Sequence, residues 1–204
     1  MRFQSRSGGV SSGFCFLLAL LIYLDTSGIV LLSLLACTLH EFGHWAALHH
    51  MGNGVRCFSL TLFGAKIEPR ESMGFLQEFA AAAAGPAVNL VLAVIFSRLP
   101  GGSAFTGVNL ALGVFNLLPV GELDGGRMLR CMLFLCMPEE PAGMILRCLE
   151  FCFTALFFCL GVWFSVRYGN LTLLLMCLWL VIRRREEKTS DFQKKNGKRG
   201  CHIG

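Results

Sequence analysis

The chain is a succession of apolar runs separated by short polar connections. The runs cover residues 10–24, 28–48, 75–99, 105–118, 142–166 and 171–182. About 20 apolar residues in a helix cross the hydrocarbon core of a bilayer, so the pattern predicts about six transmembrane helices. The first run is at the short limit for a span and ends in the turn-forming cluster Asp25-Thr26-Ser27-Gly28. Residues 55–70 break the pattern: polar and apolar positions alternate around Gly64, the period of a short β-hairpin rather than a helix. Residues 126–137 read as a short amphipathic, interfacial piece. The predicted fold class is therefore an all-α polytopic membrane protein with a short β-hairpin after the second run.

Composition supports this and narrows it. The 204 residues are 54% hydrophobic and 15% charged, with mean hydropathy +0.61, whereas soluble domains carry about 25% charged residues. The ten cysteines include no Cys-x-x-Cys pair, and Cys15, Cys37, Cys148, Cys152, Cys159 and Cys177 sit inside apolar runs. There they act as small hydrophobes, and neither a disulfide scaffold nor a cysteine zinc site is indicated.

The net charge of +5 does not indicate a nucleic-acid partner, because much of the excess lies in a terminal cluster. Arg183, Arg184, Arg185, Lys188, Lys194, Lys195, Lys198 and Arg199 follow the last apolar run, where basic residues mark a cytoplasmic end. With the amino terminus in the cytoplasm, 16 of the 18 Lys and Arg residues fall on that side, leaving Arg98 and Arg167 outside. This predicts six spans with both termini cytoplasmic, in a multi-pass protein of a bacterial cell membrane. Residues 1–185 form one membrane-embedded domain with a core at 28–137, and 186–204 form a basic, solvated, disordered tail.

His40-Glu41-Phe42-Gly43-His44 lies within the second run. Two histidines four apart on a helix share one face and can hold one zinc ion. Glu41 between them is then placed to take a proton from a water activated by the metal. Ionisable side chains are expensive in a bilayer and persist mainly where they have a function. The later half of a helix descending toward the cytoplasm puts this site in the bilayer, nearer its cytoplasmic face.

Three protein ligands are usual for catalytic zinc. The candidates for the third are Asp25, Glu68, Glu78, Glu122, Asp124, Glu150, His49 and His50. His49 and His50 trail toward the helix end as interfacial residues. Glu78 opens the third run, where a carboxylate needs no further role, and Asp25 serves a tight connection. Asp124 stands apart, in Asn116-Leu117-Leu118-Pro119-Val120-Gly121-Glu122-Leu123-Asp124-Gly125-Gly126-Arg127. Pro119 stops a span and the glycine pair permits bending or close approach. An interfacial Asp-Gly turn is the plain alternative; beside a two-histidine site without a carboxylate, the ligand reading is favoured.

Ala80–Ala84 with Gly85 make a small-residue face that lets another helix come near. Pro86 leaves the carbonyl of Ala82 without its helical donor. Asn89 and Asn116 are each able to donate to a developing oxyanion or to hydrogen-bond across helices. The balance leans to packing for Asn89 and to substrate or oxyanion for Asn116.

Taken together, His40-Glu41-Phe42-Gly43-His44, Ala84-Gly85-Pro86-Ala87-Val88-Asn89 and Asn116-Leu117-Leu118-Pro119 leading to Leu123-Asp124-Gly125-Gly126-Arg127 resemble the site-2 protease family of intramembrane zinc metalloproteases. The resemblance covers about residues 13–185 and is nearest the compact branch that includes the sporulation pro-sigma-factor processing protease. It implies one zinc ion per chain held by His40, His44 and Asp124, with Glu41 as general base. It also implies that the segment with Asn116 meets substrate and that Gly85, Pro86 and Asn89 pack beside the site, with Gly125 in the ligand turn. The basic tail stands where that branch often carries a regulatory domain.

The expected function is an endopeptidase that cuts a peptide bond in or beside a transmembrane segment of a membrane-tethered regulatory protein. Its partners are that substrate and the bilayer, with a homo-oligomer or a regulatory membrane partner allowed. A catalytically silent scaffold binding transmembrane partners is the alternative. A metal transporter would need a chain of polar residues across the bilayer, which the last two apolar runs do not offer.

Overall fold

The structure, a computed structural model, describes residues 12–61, 64–121, 123–169 and 174. Helix α1 (Ser12–Leu24) is followed by α2 (Ile29–His50), strands β1 (Val55–Thr61) and β2 (Gly64–Pro69), then α3 (Phe75–Phe96), α4 (Ser103–Asn116), α5 (Asp124–Cys136) and α6 (Glu139–Tyr168). The chain divides into two compact units, residues 1–146 and 147–204. All the packing described below belongs to the first.

Among the described residues, three helices are long and apolar enough to cross a membrane: α2, α3 and α6. The run at 105–118 is counted as a span by composition but yields a helix of 14 residues, α4, while α1 is described from Ser12 onward. At 1.5 Å per residue α4 is about 20 Å long, short of the ~30 Å hydrocarbon core. The sixth run, the basic tail and Glu122 lie outside the described residues, apart from Leu174.

Local chemistry sets both ends of α2. The Asp25 carboxylate accepts hydrogen bonds from the Val30 amide at 2.7 Å and from the Ser27 hydroxyl and amide at 2.7 and 2.9 Å. The Ser27 hydroxyl and then the Val30 amide hold this carboxyl below its ordinary range. At the other end Gly52 takes φ +73°. Its amide donates to the His49 carbonyl and that of Asn53 to Leu48, a Schellman arrangement that closes the last turn.

Beyond it, β1 and β2 pair antiparallel from Val55↔Pro69 to Thr61↔Gly64, with an irregularity between Val55 and Cys57. Asn53 clamps the base of this ribbon, exchanging two 3.1 Å hydrogen bonds with the backbone of Glu71.

Helix α3 is central and packs against α2, α4 and α5. Its alanine run brings the α2 backbone close: a methyl on Gly43 would stand 2.9 Å from the Ala84 carbonyl oxygen. The interior is small and polar, with Ala36, Ala81, Ala82 and Ala93 beside buried His40, His44, Asn89, Asn109 and Asp124. Large apolar side chains such as Leu31, Leu35, Val91 and Val94 point outward and are exposed. A water-soluble helix cluster would do the reverse; the arrangement suits helices whose outer surface meets lipid.

Candidate metal centre

His40 and His44 sit one turn apart in the C-terminal half of α2, and both are buried. Asp124 is the first residue of α5, where the helix dipole favours a carboxylate. The turn before it is tight. A methyl on Gly125 would collide with the Leu117 carbonyl and stand 2.7 Å from that of Leu118, and one on Gly126 would meet the carbonyl of Gly121. Only glycines let the chain reverse after Pro119 and aim Asp124 back at α2. The flexible reading of the Gly-Gly pair is thus refined: its use is close approach to neighbouring carbonyls.

The three side chains converge. His40 Nε2 and His44 Nε2 each stand 3.1 and 3.3 Å from Asp124 Oδ2, and 3.1 Å from one another. In a tetrahedral zinc site with bonds of about 2.0–2.1 Å, ligand atoms are separated by about 3.3 Å. Among the described residues this is the one group of three such side chains able to hold a metal ion. The donor set, two imidazoles and a carboxylate, suits zinc with a fourth position left for water or substrate.

The other imidazole nitrogens are also engaged. His44 Nδ1 donates to the Ala81 carbonyl at 2.7 Å. His40 Nδ1 meets the Asn89 side-chain oxygen at 2.5 Å. Such partners fix ring orientation and tautomer, leaving Nε2 of each ring to face the metal position. The carbonyl used is that of Ala81, one residue from Ala82, whose helical donor Pro86 removes; Pro86 itself is fully buried in α3. Gly85 lies directly beneath both rings.

Asn89 sits elsewhere than an oxyanion donor should. It is fully buried, its oxygen is taken by His40, and its amide nitrogen donates to Asn109 at 2.9 Å and to the Ala36 carbonyl at 3.5 Å. The cross-helix role fits and the oxyanion role does not. Asn116 is half-buried and donates to Leu112 of its own helix at 3.0 Å, an arrangement that spends one of its two amide hydrogens. Glu41 is half-buried on α2. His49 is exposed and stacks on Trp45, with ring centroids 5.4 Å apart, as befits an interfacial residue.

Sequence reasoning missed two features. Asn109 received no role, although an asparagine on an apolar helix is a signal in itself. Glu78, read as a simple helix-end carboxylate, pairs with Arg130 at 3.1 Å and Arg127 at 3.8 Å. Arg127 in turn stands 3.9 Å from Asp124, so Glu78 links the start of α3 to the ligand-bearing end of α5. The spacing of Arg127 and Arg130, one turn apart, is the trace it leaves in the sequence.

Comparison with known proteins finds peptidase relatives. Residues 103–156 match peptidase family M50, a segment that includes Asn109, Asn116 and Asp124. A proposed zinc metalloprotease of Synechocystis, sll0528, is 34% identical over 158 residues, covering 71% of this chain and 38% of that protein. Rip3 of Mycobacterium tuberculosis, also a proposed zinc metalloprotease, is 36% identical over 128 residues, 54% of this chain and 32% of its own. Stage IV sporulation protein FB of Bacillus subtilis is 30% identical over 140 residues, 64% of this chain and 48% of its own. The chain therefore spans less than half the length of each of these curated relatives. The site-2 protease from Methanocaldococcus jannaschii shares the fold, with a TM-score of 0.61 over 82% of both chains at 21% identity. The resemblance to the site-2 protease family, drawn from the three motifs, is borne out.

Proposed function

We propose that this relative of the M50 peptidases is a zinc endopeptidase that hydrolyses a peptide bond in or next to a transmembrane segment of a membrane-tethered protein. The observation that carries the reading is the buried His40–His44–Asp124 cluster at zinc-ligand spacing, set among helices whose exposed faces are apolar. When bound, the ion supplies Lewis acidity, which polarises a carbonyl and makes water acidic near neutral pH.

The chain's own residues do the rest. Glu41 follows His40 by one residue and accepts the proton of the attacking water, then returns it to the departing amine. Asn116 has a second amide hydrogen to offer a substrate carbonyl or developing oxyanion. A substrate helix must unwind to expose the bond, since its own backbone hydrogen bonds shield it. The β1–β2 ribbon, which follows the histidine helix directly, offers backbone groups along its edges with which an unwound segment pairs as an added strand. About six spans with both termini in the cytoplasm, a regulatory protein as substrate, and a homo-oligomer or a regulatory membrane partner belong to the same reading.

Co-expression with candidate membrane-tethered regulators tests it, comparing the natural chain with Glu41→Gln and measuring zinc on both. Loss of the cleaved product in the variant, with zinc retained, is the expected result. Zinc bound without cleavage by either leaves the substrate unfound or the scaffold alternative standing, and no zinc in the natural chain removes the basis of the reading.

A further inference from the structure

We propose that Asn109 is a positioning residue for His40, holding it in the metal-binding tautomer through Asn89; this rests on the metal-centre reading above. Three hydrogen bonds run in series across three helices. Asn109 Nδ2 on α4 donates to the Phe105 carbonyl at 2.9 Å. Asn109 Oδ1 accepts from Asn89 Nδ2 on α3 at 2.9 Å. Asn89 Oδ1 then faces His40 Nδ1 on α2.

The direction of this chain has a physical origin. An asparagine amide has nearly the same shape when its oxygen and nitrogen exchange places, so only its partners decide which way it points. Asn89 reversed would present N–H to His40 Nδ1. That favours the tautomer protonated on Nε2, which has no lone pair for a metal. The Phe105 carbonyl can only accept. It orients Asn109, Asn109 orients Asn89, and Asn89 accepts the Nδ1 proton, leaving the Nε2 lone pair toward Asp124. The Ala36 carbonyl favours the same orientation of Asn89, but at 3.5 Å, the limit of a hydrogen bond, so Asn109 is the stronger anchor.

Burial and packing are consistent with a dedicated device. Asn89 and Asn109 are both fully buried, and burying an amide is costly unless it is paired. Gly113, one turn after Asn109, lets α4 come close enough: a methyl there would stand 3.3 Å from Asn89 Cβ. Helix contact alone is met by apolar residues of the same size. The amide pair adds a defined direction, and the direction ends on a ligand.

The test compares Asn109→Leu and Asn109→Asp with the natural chain in detergent, reading zinc affinity by chelator competition and folding by thermal unfolding. Leucine removes the acceptor, and zinc affinity should fall about 10- to 100-fold, the usual effect of losing an outer-shell partner. Aspartate has only acceptors facing Asn89, so zinc affinity should stay within about threefold of natural even though a buried carboxylate lowers thermal stability. A role in packing alone predicts that affinity follows stability; that order, or unchanged affinity in folded Asn109→Leu, overturns the proposal.

Should either variant fail to fold, nitrogen-15 spectra of the metal-free natural chain decide: protonation of His40 on Nδ1 supports the relay and protonation on Nε2 refutes it. Cleavage enters none of these readouts. A chain with this tautomer that binds zinc and cuts nothing would refute the proposed protease while leaving the role of Asn109 standing.

Discussion

Gly85 lies against His44 with no room for a side chain between them. A methyl at Gly85 would collide with His44 Nε2 and stand 2.6 Å from its Cε1 and 2.8 Å from Cε1 of His40. Helix α3 thus forms the floor of the candidate metal centre, and its distance from α2 sets where the two imidazoles lie. Gly85→Ala must push the rings or part the helices. Overpacking of this kind costs about 1–3 kcal/mol, which corresponds to a zinc affinity lower by roughly 5- to 150-fold. Chelator competition on the purified variant measures this. An affinity equal to that of the natural chain would mean that the rings have another resting place.

Zinc should also stabilise the fold, because the proposed ligands come from α2 and α5. An ion that binds only the folded state adds about 2.7 kcal/mol at a hundred times its dissociation constant. Thermal unfolding with zinc in excess and after chelation should show that shift, and Asp124→Ala should abolish it. The same chelation should stop cleavage, and zinc should restore it.

Glu78 shields Asp124 from an unbalanced cation. With Glu78→Gln, Arg127 loses its partner 3.8 Å away and keeps Asp124 at 3.9 Å, where its charge opposes a metal ion on the same carboxylate. The groups are partly exposed, so the scale is that of surface pairs, about 0.2–1 kcal/mol, or up to about fivefold in zinc affinity. The double variant Glu78→Gln with Arg127→Gln should recover the loss. If the two changes simply add in a double-mutant cycle, the pair does not act through Asp124.

The ribbon gives a prediction that separates substrate capture from metal binding. Proline at Arg56, Phe58 or Leu60 of β1 removes a backbone donor and an available pairing position. Cleavage should fall at least about tenfold where that strand receives substrate, while zinc content stays natural. Unchanged cleavage in all three variants would show that substrate does not add to this strand.

Much of the centre was legible beforehand because its parts are local. His40 and His44 are one helical turn apart, and an apolar helix around them can be read from composition. Asp124 could be favoured because Pro119 and the glycines mark an irregular turn at membrane depth. The count of spans was less secure. Apolar composition marks residues 105–118, but it does not measure the length of helix they form, and α4 is short.

What the sequence by itself determined is the set of groups: an imidazole pair and two carboxylates, placed in helices whose apolar surroundings make each of them costly without a partner. What only the tertiary structure decided is how these groups are aimed. Ala81 holds His44, Asn89 and Asn109 hold His40, Gly85 sets their floor, and Glu78 answers the arginines beside Asp124. These partners lie on α3 and α4, on other helices than the groups they hold. The period of a helix dictates which residues share its face; which face meets which is decided by close packing, through small residues that let backbones touch.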